Sequence, residues 1–170
     1  MRRAVLLAML TLTTRVSAQS IKPSQLGAVS QFVGDTRIDV AYRRPVARGR
    51  ELFGSLVPWG RVWSPSSDTA ATFTSTGPLS VNGEHLAAGT YSLWAIPDQE
   101  TWTIIFSKIH PAFHMRYPSG SDALRVTVKP RTGEPMETLA FYFPMVNADS
   151  AELVMHWGRT VVPVLIKLGR

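Results

Sequence analysis

Residues 90–107 read TYSLWAI-PDQE-TWTIIFS, two apolar runs on either side of a polar tetrapeptide. Both runs are rich in aromatic and β-branched side chains, which favour strands, and the proline and aspartate between them favour a turn. In the second run Trp102, Ile104 and Phe106 alternate with their neighbours and therefore share one face of an extended chain. The stretch predicts two antiparallel strands with a buried face.

Similar short runs, separated by turn residues, extend in both directions from this stretch. Residues 36–42 alternate, which places Ile38, Val40 and Tyr42 on one face. The dipeptide Asn82-Gly83 follows another such run, and because both residues tolerate positive φ angles it predicts a two-residue hairpin. Further strand candidates are residues 122–128 and 138–143.

The C-terminal region predicts a last hairpin, formed by residues 152–157 and 160–168 about Gly158-Arg159. His156 alternates with apolar neighbours there and is expected on the surface. Pro163 has no N–H for a strand ladder, so the last strand is expected at a sheet edge or with a bulge.

Helix is nearly absent from this pattern. One helical turn is predicted near residues 51–56, ended by Pro58. The fold class is therefore all-β: a β-sandwich, jelly-roll-like, of about 8–10 short and mainly antiparallel strands. A closed barrel is the alternative.

The N-terminus has the three regions of a secretory signal peptide. Arg2 and Arg3 are followed by an apolar run at residues 4–12 and by Val16-Ser17-Ala18, which supplies small side chains at the two positions a signal peptidase must accommodate and predicts cleavage after Ala18. The apolar run is shorter than the about 20 residues of a membrane span. We therefore expect residues 19–170 to form a single exported domain, periplasmic or extracellular, soluble and without a membrane span.

Charge and cysteine content limit the function classes. The whole chain carries +6, but removing residues 1–18 leaves 15 basic and 12 acidic residues, a net charge of +3. That balance does not indicate a nucleic-acid partner. Because the chain has no cysteine, disulfides, a cysteine-linked lipid anchor and cysteine nucleophiles are excluded.

Catalytic and metal motifs are weak. His110 and His114 have the i, i+4 spacing of a zinc-binding pair, but Pro118 and Gly120 follow closely and the usual glutamate is missing. Loop histidines are therefore expected, with no metal and no cofactor. No Gly-x-Ser-x-Gly sequence or phosphate-binding glycine loop occurs.

Residues 42–63 contain the densest set of polar and aromatic side chains. Arginine forks suit carboxylate or phosphate groups, and exposed tryptophan rings suit sugar faces or cations. The region therefore predicts an anion- or glycan-binding surface, although the same residues can instead hold an irregular loop and close one end of the sandwich. The candidate ligand-binding residues are Arg43, Arg44, Arg48, Arg50, Trp59, Arg61, Trp63 and Asp68.

The same region resembles the hallmark segment of a bacterial family known as domain of unknown function 2911. The resemblance continues at residues 81–97, 102–106 and 122–126, so it covers nearly the whole mature chain. It implies an exported β-rich domain, usually standing alone, and no particular activity. The matching motifs are Tyr42-Arg43-Arg44-Pro45, Arg48-Gly49-Arg50, Phe53-Gly54, Leu56-Val57-Pro58, Trp59-Gly60 and Val62-Trp63.

One segment departs from the family pattern. Where the family typically has Arg-x-Gly-Ala-Asn-Glu, this chain has SPSSDT at residues 64–69. If that turn is the family's functional site, this protein has an altered or lost function. If it is a structural turn, Pro65 and Asp68 can build another of similar shape.

Three function classes follow from these observations. The first is a non-catalytic envelope protein that binds a glycan, an anionic envelope component or a protein through the Arg43–Trp63 region. The second is a structural or assembly protein that pairs through the Pro163 strand. The third is a hydrolase or metal-assisted enzyme that uses two or more of His110, His114, Asp122 and Asp68 at one pocket.

Overall fold

A computed structural model describes residues 24–169 of the chain. The predicted signal peptide, residues 1–18, lies outside the described residues. The ten strands are β1 Gln25–Val33, β2 Thr36–Arg44, β3 Ala71–Ser75, β4 Leu79–Val81, β5 Glu84–Leu86, β6 Gly89–Ile96, β7 Trp102–Ser107, β8 Asp122–Val128, β9 Arg131–Val146 and β10 Ser150–Leu168.

The strands form two antiparallel sheets that face each other across one apolar core. One sheet has the order β1-β2-β3-β6-β7-β8 and the other β5-β4-β10-β9. Residues 24–169 contain no helix, and therefore none long and apolar enough to cross a bilayer. The all-β sandwich is confirmed, and the closed-barrel alternative is wrong.

Local alternation predicts the strands of the larger sheet well. Ile38, Val40 and Tyr42 of β2 are all buried in the core. Strands β6 and β7 pair as expected, with Leu93 opposite Phe106. At the edge of the smaller sheet Asn82 and Gly83 have φ angles of 49° and 94° and join β4 to β5 as the predicted two-residue hairpin.

The outer face of β6 and β7 is also covered, which alternation alone does not predict. Trp94 and Ile105 point away from the main core, yet both are fully buried. Together with Ala70 they pack against Ala112 and Tyr117, which belong to the irregular segment at 108–121. This segment therefore packs as a small second core on the outside of the larger sheet.

The predicted C-terminal hairpin is wrong. Residues 150–168 form one strand, β10, which pairs with β9 on both sides of Gly158, with irregular register around it. Gly158 has a φ of 58° and makes a bulge in the strand instead of a turn between strands. In the sheet order β10 is an inner strand, so of the two alternatives expected for the strand that contains Pro163, a sheet edge or a bulge, the structure has the bulged strand. Pro163 lies between the stretch paired with β9 and the stretch paired with β4, so its missing N–H interrupts neither ladder.

His156 is buried, against the expectation of a surface position. Its Nδ1 lies 3.1 Å from the Tyr142 hydroxyl and its Nε2 lies 3.0 Å from the Glu134 carbonyl oxygen. The ring also lies against Gly133, where a side chain would come within 3.4 Å of it. Because Gly133 has no side chain, β9 leaves space for the His156 ring, and the ring is buried there.

The segment at 45–63 connects the two sheets and positions the candidate site. On one side the Ala47 N–H donates to the Glu137 carbonyl oxygen on β9 at 2.7 Å. On the other side Trp63 and Ala95 exchange two backbone hydrogen bonds, which attach the segment to β6. The predicted helical turn near residues 51–56 is wrong: the chain makes a wide turn there, closed by the Val57 N–H on the Leu52 carbonyl oxygen.

Candidate binding groove

A groove of about 740 Å³ opens beside the 45–63 segment. Its walls come from that segment, from the turn at 64–69 and from the 108–121 segment, and Trp94 and Trp157 lie at its buried base. Among the described residues that line it there is no aspartate or glutamate. The lining includes Arg48, Arg50, Arg61, His114, Tyr117, Trp63, Leu56, Val62 and Met115.

Arg48 occupies an unusual backbone position that places its side chain at the groove. Arg48 and Gly49 have φ angles of 53° and 69°, and the Arg50 N–H donates to the Ala47 carbonyl oxygen at 3.1 Å. These features define a type I′ turn, in which a residue other than glycine, asparagine or aspartate is unfavourable at the first central position. The Glu137 carboxylate holds the turn by accepting from the Arg48 N–H at 2.6 Å.

The guanidinium groups of Arg48 and Arg61 make no hydrogen bond or ion pair within residues 24–169. Arg50 differs, because its Nε donates to the Ala47 carbonyl oxygen at 2.8 Å and its Nη2 to the Val46 carbonyl oxygen at 2.7 Å. Arg50 thus stabilises the loop that carries Arg48. Two of the three arginines retain all five N–H donors for a ligand.

Trp63 belongs both to the groove and to the core beneath it. Its ring stacks on Trp157 at 6.1 Å and meets Phe53 edge-on at 5.9 Å. Phe53 in turn packs edge-on against Trp102 at 4.8 Å. This aromatic cluster closes the core where the 45–63 segment passes between the sheets, so the groove has a rigid floor.

Four of the sequence-predicted candidates do not line the groove. The Arg44 Nε donates to the Leu139 carbonyl oxygen at 3.1 Å, which ties β2 to β9. The Arg43 Nε lies 4.0 Å from an Asp68 carboxylate oxygen, and Trp59 packs on Phe53 with ring centroids 6.3 Å apart. Arg48, Arg50, Arg61 and Trp63 are the predicted candidates that the fold brings together at the groove.

The turn at 64–69, which departs from the family pattern, is held by its serines. Ser64 is fully buried; its hydroxyl donates to the Leu93 carbonyl oxygen at 3.0 Å and accepts from the Ala71 N–H at 3.1 Å. The Ser66 hydroxyl accepts from the Arg43 N–H at 2.9 Å. Ser66 and Ser67 also line the groove, so the turn contributes small neutral side chains to a groove whose charged side chains are arginines.

The two histidines singled out in the sequence lie in different surroundings. His110 is exposed and does not line the groove. His114 lines it, with its N–H donating to the Asp68 carbonyl oxygen at 3.2 Å and its ring 5.0 Å from that of Phe113. Within the described part of the chain no three His, Asp or Glu side chains are arranged to hold a metal ion.

Sequence reasoning missed the part of the groove that comes from the 108–121 segment. The Tyr117 hydroxyl donates to the Asp122 carboxylate at 2.5 Å and accepts from Arg125 Nη2 at 2.8 Å. Burial raises the pKa of Tyr117 above its ordinary value, and the hydrogen bond to Asp122 raises it further. These contacts fasten the segment to β8. They join an irregular loop to a strand, so no periodic sequence pattern signals them.

Comparison with known proteins supports the resemblance noted in the sequence. Residues 24–166 match the family model described as protein of unknown function (DUF2911). Neither the curated proteins nor the solved structures contain a significant match to the chain. Because the family model covers most of the sequence and every strand except the last residues of β10, the chain belongs to the DUF2911 family.

Proposed function

We propose that this protein is an exported, non-catalytic binding domain that holds a small anionic ligand in the groove. The observation that carries the proposal is the charge of the lining. Arg48, Arg50 and Arg61 face the groove, and no acidic side chain of the described lining offsets them. Export rests on the N-terminal sequence pattern.

The hydrogen-bonding character of the groove favours an anion over a neutral sugar. Guanidinium groups only donate, so they satisfy carboxylate or phosphate oxygens, whereas sugar hydroxyls need donors and acceptors together. The described lining has no asparagine, glutamine or carboxylate that would accept from a hydroxyl. A ligand with at least one carboxylate or phosphate group therefore fits the groove best.

The anchoring of the arginines supports binding at a preformed site. The turn that carries Arg48 is hydrogen-bonded to β9 through Glu137, and Arg50 is fixed on the carbonyl groups of its own loop. Donors held in place before a ligand arrives lose little conformational entropy on binding, which increases affinity. The same lining contains one histidine, His114, and no carboxylate that could act with it as an acid–base pair, which favours binding over hydrolysis.

Isothermal titration calorimetry of the mature protein tests the proposal. Phosphate, citrate and glycerol phosphate are titrated beside the neutral compounds glucose and glycerol. We expect at least one anion to bind and the neutral compounds not to bind. In the double variant Arg48→Ala/Arg61→Ala we expect that anion to bind at least about tenfold more weakly, since each charge-assisted hydrogen bond contributes more than a neutral one.

Arg37→Ala is the matched control. Arg37 is an arginine of β2 that pairs with Asp39 at 2.9 Å and does not line the groove, so its removal should leave anion binding unchanged. The proposal is wrong if no anion binds, if glucose binds as tightly as the anions, or if the groove variant and the Arg37→Ala control lose affinity equally.

A further inference from the structure

Large apolar side chains are exposed on the two segments, 45–63 and 108–121, that line the groove. Phe113 and Met115 are 57% and 77% exposed on the 108–121 segment. Leu56, Trp59 and Val62 are exposed on the 45–63 segment, and Leu56, Val62 and Met115 also line the groove. We call these five residues the rim. Single exposed apolar residues are common, but a cluster beside a binding groove marks an interaction surface.

Basic side chains lie beside the rim without acidic partners. Arg48 and Arg61 line the same groove with free guanidinium groups. Arg116, next to Met115, is exposed and its side chain makes no hydrogen bond or ion pair within residues 24–169. A surface of this composition is complementary to an anionic lipid interface, where apolar side chains enter the lipid and cations meet the headgroups.

We infer that the anion bound in the groove is the headgroup of an anionic phospholipid in a bilayer surface. In this arrangement the rim enters the interface while Arg48 and Arg61 bind the headgroup phosphate. The inference rests on the proposed function and names the source of the anion. It explains why the groove combines guanidinium donors with aliphatic side chains, a combination that a small soluble anion does not require.

The composition of the rim favours lipid over a glycan. Leu56, Val62 and Met115 are aliphatic, whereas sugar faces stack on flat rings, which only Trp59 and Phe113 among the rim residues have. The backbone also presents the rim in a fixed position. The Ala70 N–H donates to the Ala112 carbonyl oxygen at 2.9 Å, and the Tyr117 hydroxyl is held by Asp122, so the tip with Phe113 and Met115 is anchored on both sides.

Another exposed apolar pair provides a comparison within the same molecule. Leu26 and Phe32 on β1 are 68% and 56% exposed. Their strand partners on β2 are Arg43 and Arg37, which pair with Asp68 and Asp39. Leu26 and Phe32 are comparable in exposure to Met115 and Phe113, but the arginines beside them are paired with acidic residues, so this second site lacks the charge complementarity to anionic lipid.

The test is co-sedimentation of the mature protein with vesicles. One set contains phosphatidylglycerol mixed with phosphatidylcholine and the other contains phosphatidylcholine alone. We expect the protein to bind the mixed vesicles at least about tenfold more tightly, because apolar insertion and attraction of basic residues to anionic lipid add. Binding of glycerol phosphate, measured by calorimetry on the same samples, reports the affinity of the groove for a soluble anion.

Three variants separate the contribution of the rim to vesicle binding from that of the groove arginines. Trp59→Ser/Phe113→Ser changes two exposed rim residues that do not line the groove; it should lose most of the binding to mixed vesicles and keep its affinity for glycerol phosphate. Leu26→Ser/Phe32→Ser should keep both. Arg48→Ala/Arg61→Ala should lose both. All altered side chains are exposed or at the groove, and urea unfolding curves identify any variant that is not folded.

The outcomes distinguish this inference from the proposed function. Binding to glycerol phosphate without binding to mixed vesicles overturns the lipid inference and leaves the proposed function standing, while binding to neither overturns both. Equal binding to both vesicle types, or equal loss in the rim variant and the β1 variant, overturns the inference. So does a dimer in sedimentation velocity that dissociates in the rim variant, because a second copy of the chain then covers the rim.

Discussion

The indole rings of Trp63 and Trp157 stack with centroids 6.1 Å apart and planes inclined by 12°. Trp63 belongs to the segment that carries the arginines, and Trp157 belongs to the inner strand β10 of the smaller sheet. Both rings line the groove, so one contact is at once the floor of the candidate site and part of the core. Changes to this pair therefore affect stability and the groove together.

Replacing the three tryptophans of this region should produce a graded loss of stability. Trp157→Ala removes a buried ring and should lower the free energy of unfolding by about 3–5 kcal/mol. Trp63→Ala should cost less because Trp63 is half-buried, and Trp59→Ala least because Trp59 is exposed. Urea denaturation followed by circular dichroism measures the series, and a loss in Trp59→Ala equal to that in Trp157→Ala would contradict it.

Ser64 tests whether the altered turn is structural. Ser64→Ala removes a hydroxyl that serves both the Leu93 carbonyl oxygen and the Ala71 N–H inside the protein, and should cost about 1–3 kcal/mol. Ser67→Ala is the control, because its hydroxyl makes one partly buried contact, accepting from that of Ser24 at 3.2 Å, and should change stability by less than about 0.5 kcal/mol. Normal stability with lost anion binding in Ser64→Ala would instead assign the turn to function.

Much of the fold could be predicted because its signals are local. The alternation of residues 36–42 and the Asn82-Gly83 turn depend only on neighbouring residues, and both appear in the structure as expected. Gly158-Arg159 has the same local appearance as a turn. A glycine with a positive φ can end a strand or form a bulge within it. At Gly158 the bulge forms because β9 pairs with β10 on both sides of the glycine, and the local sequence around Gly158 does not show that pairing.

The candidate site was predictable as a region but not as a set of side chains. Arg44 and Arg48 lie close together in the sequence, yet Arg44 is bound to the Leu139 carbonyl oxygen and Arg48 faces the groove. The difference comes from β9, which supplies the hydrogen-bonding partners at residues 137–139. Met115 and Tyr117 were missed because contacts with distant parts of the chain bring their loop to the groove, among them the packing of Tyr117 on Trp94 at 5.3 Å and the Ala70–Ala112 hydrogen bond.

Two glycines with positive φ angles should respond differently to alanine. At Gly49, with a φ of 69°, an added β-carbon would have no atom within 4 Å, whereas at Gly158, with a φ of 58°, it would lie 2.8 Å from Leu52 Cδ1. Gly49→Ala should therefore cost about 1 kcal/mol from backbone strain alone. Gly158→Ala should cost about 2–4 kcal/mol, because overpacking of the buried Leu52 side chain adds to the strain.

A double-mutant cycle identifies the cause of the Gly158 effect. Leu52→Val shortens the side chain that the new methyl group meets, so the combined variant Gly158→Ala/Leu52→Val should be more stable than the sum of the single losses predicts. Urea unfolding of the four proteins gives the coupling energy. Strict additivity would show that the backbone conformation, and not contact with Leu52, causes the loss.

Alkaline pH should destabilise the protein partly through Tyr117. Burial and the hydrogen bond to Asp122 raise the pKa of Tyr117 above its ordinary value of 10.0, and burial also raises the pKa values of Tyr91 and Tyr142. Above pH 10 the folded protein therefore retains phenol protons that the unfolded chain has lost. This contribution to stability is intact below pH 10 and is lost as the pH rises through the folded-state pKa values.

Tyr117→Phe should flatten this dependence without abolishing it. Urea midpoints of the variant and the wild type, measured from about pH 8 to about pH 11, should differ by a constant at the lower values and converge above pH 10, because only the wild type loses the Tyr117 contribution there. Tyr142→Phe is the comparison, since the pKa of Tyr142 is raised mainly by burial and without a hydrogen bond to Asp122. If the curves of Tyr117→Phe and the wild type were parallel over the whole pH range, the Asp122 contact would not retain the phenol proton. The 108–121 segment would then be held by the packing of Tyr117 on Trp94 instead.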